Sequence, residues 1–163
     1  MKYTIRLACA VVAFAAVTIP VHAQMKYSWT THCATTPIFQ TVPASEHGGV
    51  QIQVALGPIE TCSVTGSMGA TPIKESEYAN YNELVGNQVR IWGVKVMTLA
   101  TGDKVYAIYG GVRNISQTTY TQTYQITGGT GKMQGIKGSG VCTSTNAADM
   151  SATSSCTGSY TLP

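Results

Sequence analysis

Alternation with a period of two is the feature that most limits what this chain can become. Val50, Ile52, Val54 and Leu56 are separated by Gln51, Gln53 and Ala55, the pattern of a half-buried strand. Tyr120, Tyr124 and Ile126 alternate with Thr119, Thr121, Thr123, Gln125 and Thr127, a second strand whose threonine face meets water. Tyr27–Thr35, Glu60–Met68, Gln88–Leu99, Lys104–Val112, Gly135–Thr143 and Ser155–Leu162 read the same way, with Gly, Pro, Asn and Asp between them as turns require. Helical spacing is nearly absent. Only Tyr78, Tyr81 and Leu84 recur every third residue, so Glu75–Leu84 is expected to be a short helical turn or an ordered loop. About eight short strands without helices make a sandwich or a barrel. Closure removes the sheet edges, so the expected fold is all-β, an eight-stranded antiparallel barrel that is filled by side chains or holds one small ligand.

The sharpest hairpin joins Gln88–Leu99 to Lys104–Val112 through Ala100-Thr101-Gly102-Asp103. A three-residue loop at Thr101–Asp103 puts Thr98 opposite Tyr106, Val96 opposite Ile108 and Trp92 opposite Val112. One face then carries Trp92, Val94, Val96, Tyr106, Ile108 and Val112. The other carries Ile91, Met97, Leu99, Val105, Ala107 and Tyr109, together with Lys95 and Arg113. Both faces are substantially apolar. One fills a barrel; the other needs cover from another chain segment or a second subunit, which makes a homo-oligomer an expectation of the pattern.

The N-terminus reads as a signal peptide. Lys2 and Arg6 precede an uncharged apolar run from Leu7 to Ile19; Pro20 ends it, and Val21-His22-Ala23 supplies a cleavage site. The run is too short for a span of about 20 residues, and Cys9 lies at its start, where lipidation is not expected. Residues 1–23 are thus expected to be removed and 24–163 to form one exported barrel domain, periplasmic or extracellular, with no membrane span. Of ten Lys/Arg and seven Asp/Glu, the leader takes two bases and no acid, leaving a balance of about +1. That argues against a nucleic-acid surface, which would need clustered positive charge. Four cysteines remain, Cys33, Cys62, Cys142 and Cys156. An even count in a short exported chain reads as two disulfides. Of the three pairings, Cys142–Cys156 is favoured because both lie on strand-like segments joined by one polar loop; Cys33–Cys62 follows.

The glycine-rich stretch Gly128-Gly129-Thr130-Gly131-Lys132-Met133-Gln134-Gly135-Ile136-Lys137-Gly138-Ser139-Gly140 invites a phosphate-binding reading. A P-loop fails, because Ile126 stands where the first glycine belongs and Met133 follows Lys132. A dinucleotide fingerprint fails at Gln134, and no helix follows. The glycines are expected to serve tight backbone approach between strands. From Tyr124 to Val141 the order of strand, Gly-Gly-Thr-Gly-Lys, hydrophobe, glycine and strand resembles the allene oxide cyclase and dirigent barrel superfamily. Thr101-Gly102-Asp103-Lys104-Val105-Tyr106 is similar to a hairpin in its small exported bacterial members. These stretches cover about a quarter of the chain. The resemblance implies a calycin-like eight-stranded barrel with a mostly apolar cavity, and dimers or trimers. Plant members cyclise an epoxide fatty acid or steer the coupling of phenoxy radicals, but their functional residues match no motif here.

No cofactor is expected and no catalytic set is matched. A cyclase in such a cavity would need an acid or an oriented water, and an inward arginine could meet a ligand carboxylate or phenolate. Glu60, at the start of a strand after Pro58, and Arg90, on the face of Trp92, are the candidates; a solvated strand-end carboxylate and a rim arginine are the plainer alternatives. Trp92, Tyr106, Tyr120 and Tyr124 are candidates to line a pocket for an aromatic or apolar ligand, and core packing explains them equally well. His32 and His47 have no matched nucleophile, and a metal at His32 with Cys33 is disfavoured because neighbours on a strand face opposite ways. The expectation is an exported barrel that binds a small apolar ligand or a protein without catalysis. The alternatives are a cyclase or isomerase and a structural, oligomerising module.

Overall fold

A computed structural model describes residues 23–34, 39–44, 50–55, 60–149 and 151–163. The expected leader lies outside these residues, apart from Ala23. Ten strands follow in chain order: β1 Met25–Cys33, β2 Phe39–Ala44, β3 Val50–Ala55, β4 Glu60–Met68, β5 Thr71–Val85, β6 Gln88–Leu99, β7 Lys104–Asn114, β8 Thr119–Gly129, β9 Lys137–Asn146 and β10 Ala152–Thr161. Eight of them close an antiparallel barrel in the order β5-β4-β1-β10-β9-β8-β7-β6, with β6 returning to β5. β2 and β3 form a hairpin that joins the sheet outside this ring.

β5 corrects the expectation of a helical turn or loop at Glu75–Leu84. It is a 15-residue strand, the longest in the fold. It pairs with β6 along its length; on its other edge its first half pairs with β4 and its second half with β3. Its alternation is hidden for two reasons. An irregularity between Ile73 and Glu75 shifts the phase, and beyond it the inward positions include Ser76, Tyr78, Asn80 and Asn82, three of them polar. Pairing on both edges overrides a local pattern that is not strand-like.

The β6–β7 hairpin turns one residue earlier than expected. Leu99 N–H donates to the Asp103 carbonyl (2.9 Å) and Gly102 N–H to the Leu99 carbonyl (2.8 Å), so the loop is Ala100–Gly102, with Gly102 at φ 86°. Val96 therefore faces Tyr106 and Trp92 faces Gly110. The slide amounts to two residues, and side chains alternate with period two, so every residue keeps its face. The face carrying Ile91, Lys95, Met97, Leu99, Val105, Ala107 and Tyr109 is the buried one. Trp92, Val94, Tyr106, Ile108 and Val112 lie outside, 38–55% exposed.

The two ends of the barrel differ. At one end Met68, Leu99, Val105, Ile126, Met133 and Ile136 are buried together. Met133 comes from a single 3₁₀ turn, Gly131–Met133, within the glycine-rich stretch. Thr130 ties this stretch to the neighbouring hairpin: its N–H donates to the Lys104 carbonyl (2.9 Å) and its Oγ1 accepts from Lys104 N–H (2.8 Å). Gly131 adopts φ 54°, and a Cβ there would run into the Asp103 carboxylate. The glycines thus let the chain fold back as a plug. Both disulfides form as favoured, Cys33–Cys62 and Cys142–Cys156, with Cα–Cα distances of 4.3 and 4.0 Å. Each joins directly opposed residues of adjacent strands.

Candidate functional site: a tyrosine-lined cavity with a buried lysine

The other end of the barrel holds a cavity of about 270 Å³. Its walls come from the last residues of β1, β5, β7 and β9 and the first of β6, β8 and β10. Four tyrosines line it, Tyr78, Tyr109, Tyr120 and Tyr124, with Asn80, Asn82, Gln122 and Asn146 between them. The mostly apolar cavity implied by the resemblance is therefore not what this chain builds; amides and charged groups share the wall.

An aromatic column runs from the cavity wall into the core. Tyr109 stacks on Tyr124 (centroids 5.1 Å apart), Trp29 meets Tyr124 edge-on (6.0 Å), and Tyr27 stacks on Trp29 (4.4 Å). Tyr109 needs the space left by Gly93, where a Cβ would come within 2.5 Å of its ring. Its hydroxyl reaches Asn80 Oδ1 (3.2 Å) and the Ala79 carbonyl (3.3 Å), which orients the Asn80 amide. On the opposite side Ser144 Oγ donates to Gln122 Oε1 (2.7 Å) and also contacts Ser154 Oγ (2.7 Å).

Lys95 projects into this cavity from β6 with only 3% of its surface exposed. Its Nζ donates to Thr31 Oγ1 at 3.4 Å and lies 5.7 Å from the centroid of the Tyr124 ring. Burial pulls its ammonium down to about 8 from the usual 10.5. Arg113 stands at the open end. Its guanidinium donates to the carbonyls of Asn114 (3.4 Å), Ile115 (3.3 Å) and Gln117 (3.0 Å) and lies over the Tyr120 ring. Burial raises Tyr120, with Arg113 and a hydrogen bond to Asn146 opposing it. Tyr124 is raised too, by burial first and then by neighbouring tyrosines.

Of the four residues expected to line a pocket, Tyr120 and Tyr124 do so. Trp92 and Tyr106 do not: they are on the outer face, 43% and 38% exposed, and Trp92 stacks there on Tyr81 (5.8 Å). They follow the strand phase opposite to Lys95, and the phase containing Met97 and Leu99 went inside. Arg90, as expected, shares the face of Trp92, but that face is outward; it is exposed and sits 3.5 Å from Glu83. Glu60 opens β4 opposite Tyr78; its side chain lies outside the described residues, as does His47. His32 is exposed and contacts Thr153 Oγ1 (3.0 Å), while the Cys33 sulfur is held in its disulfide. Sequence reasoning placed Lys95 and Arg113 on the correct face but did not single them out. The signal was a lysine at an interior phase, between Ile91 and Met97.

Comparison with known proteins supports the architecture. A pterocarpan synthase dirigent protein matches over the whole of both chains, with a TM-score of 0.52 and 10% sequence identity. At that identity the likeness concerns the fold alone. No protein-family model matches the chain, and no curated protein does. The chain has a dirigent-like barrel fold.

Proposed function

We propose that the chain is an exported barrel that binds one small molecule in its open-end cavity without itself carrying out chemistry. The observation that carries this reading is the cavity, closed below by packed side chains and walled by four tyrosines and four amides. Rings give area, and amides give direction to a ligand. The leader-like N-terminus and the two disulfides support export to a periplasmic or extracellular space. A small bacterial-type member of the allene oxide cyclase and dirigent superfamily fits this reading. A cyclase or isomerase would rest on Glu60, since Arg90 faces away from the cavity. Native mass spectrometry with a small-molecule library tests the proposal. A one-to-one adduct is expected, and Ala152→Phe, which fills the cavity from β10, should abolish it. No adduct from any library member, or one indifferent to Ala152→Phe, overturns it.

A second reading concerns the outer face of β6 and β7. Trp92, Val94, Tyr106 and Ile108 form an uncharged, exposed apolar row there. A second copy of the chain, bringing the same row, would cover it. Light scattering is the measurement: self-association that Val94→Asp disrupts supports this reading, and a monomer at high concentration refutes it.

A further inference from the structure

Two cations share the cavity, and none of the described residues that line it is acidic. Lys95 has three N–H donors, and its recorded partners are a long hydrogen bond to a threonine and a tyrosine ring face. Neither carries a negative charge. Arg113 spends one terminal nitrogen on three main-chain carbonyls; its Nε is buried and has no hydrogen-bond acceptor among the described residues. The ion pairs recorded among those residues are Lys74–Glu75 and Arg90–Glu83, both outside the cavity. Burying a cation without a counter-charge is costly, and the cost shows as the lowered Lys95 ammonium. An arrangement kept at such a cost is one that a bound anion would complete.

We propose that the cavity is an anion site, in which Lys95 holds the carboxylate of a small single-ring aromatic acid whose ring lies among Tyr78, Tyr109 and Tyr120, with Arg113 adding positive potential from the rim. This deepens the ligand-binding reading above and rests on it. Size argues for one ring: about 270 Å³ falls just below the ~300 Å³ lower end of ordinary ligand pockets. The wall argues for an aromatic body, because offset or edge-on packing against tyrosines is available on several sides. The charge argues for a carboxylate, since hydrogen bonds between ionised partners are roughly twice as strong as neutral ones. Asn80 and Asn82 would meet a ring hydroxyl. The row Glu60–Tyr78–Lys95 runs across three adjacent strands, so Glu60 is the acid in register with Lys95, whereas Glu77, opposite Val96, takes the other strand phase; the test must separate a resident counter-ion from a ligand.

The experiment is calorimetric titration of the intact mature protein with benzoate and with its neutral twin benzamide, at pH 7, in wild type, Lys95→Met and Glu60→Gln. Wild type is expected to prefer benzoate by at least about tenfold. Lys95→Met is expected to lose the preference, with benzoate weakened far more than benzamide, and the benzamide binding that remains shows that the variant cavity is intact. Equal binding of benzoate and benzamide by wild type overturns the anion site while leaving the ligand cavity standing. A preference that survives in Lys95→Met also overturns it, as does benzoate binding that appears only in Glu60→Gln, because Lys95 would then already be neutralised. Failure of both probes in every variant, together with a library that yields no adduct, removes the ligand-binding reading itself.

Discussion

At the residue scale Lys95 sets the terms. An unfolded lysine titrates near 10.5 and this one at about 8, so between those pH values the unfolded chain holds more protons than the folded one. Stability must therefore rise with pH across that window. The penalty, fully present below pH 8, is about 3 kcal/mol by the linkage relation. Burial acts in the opposite direction on the tyrosines: Tyr27 is pushed up to about 12 from 10, and Tyr120, Tyr124 and Tyr160 are raised as well. Above about pH 10 unfolded tyrosines release protons that folded ones keep, so stability falls again. Urea unfolding from pH 7 to 11 should show a rise followed by a decline. In Lys95→Met the rise should vanish, and at pH 7 that variant should be more stable than wild type by about 1–3 kcal/mol. A Lys95→Met protein that retains the rise would assign it to another group. Reading Lys95 from sequence was within reach, because it breaks an apolar phase running from Ile91 to Leu99. What the sequence did not disclose was which phase faced inward, since both were apolar enough to fill a barrel.

At the element scale two segments decide the shape of the ends. The glycine-rich stretch between β8 and β9 closes one end, and Gly131→Ala tests it. A left-handed backbone disfavours any Cβ by roughly 1–2 kcal/mol, and here the Asp103 carboxylate occupies the space. A loss of at least that size in chemical denaturation is expected, whereas a neutral outcome would mean that the turn has another conformation. At the other end Arg113 gathers the carbonyls of the β7–β8 turn. Arg113→Ala should speed amide hydrogen exchange at residues 114–118 with little change in global stability, because the barrel ladders do not depend on it. β8 and the β6–β7 hairpin were legible because they alternate cleanly. β5 was not: its inward positions carry Asn80 and Asn82, and its irregularity at Lys74 shifts the phase, so polar residues that serve the cavity looked like a loop. The register of the β6–β7 hairpin shows the reverse case, where an error of two residues changed no face.

For the whole molecule the barrel was readable in outline, because many short alternating segments without helices favour closure, although the eight read from the sequence included β3, which lies outside the ring, and missed β5, which lies in it. The cysteine pairing was readable because Cys142 and Cys156 stand on strand-like segments joined by one polar loop. Both bridges lock neighbouring barrel strands, and Cys33 also lines the cavity. Replacing Cys142 and Cys156 by Ser is expected to cost about 3 kcal/mol, and replacing Cys33 and Cys62 slightly more, as the separations of 14 and 29 residues dictate. Thermal melts compare the two; a larger loss for the shorter loop would point to packing rather than chain entropy. The two tryptophans end in unlike places, Trp29 at 3% exposure inside the aromatic column and Trp92 at 43% on the outer wall. The barrel therefore carries two separate fluorescent reporters. Iodide in solution can quench Trp92 while Trp29 stays dark to it. In a Trp92→Phe protein all tryptophan emission would come from Trp29, which touches the same Tyr124 ring that lies beneath the Lys95 ammonium. A molecule entering the cavity would then announce itself as a change in light, with no label attached.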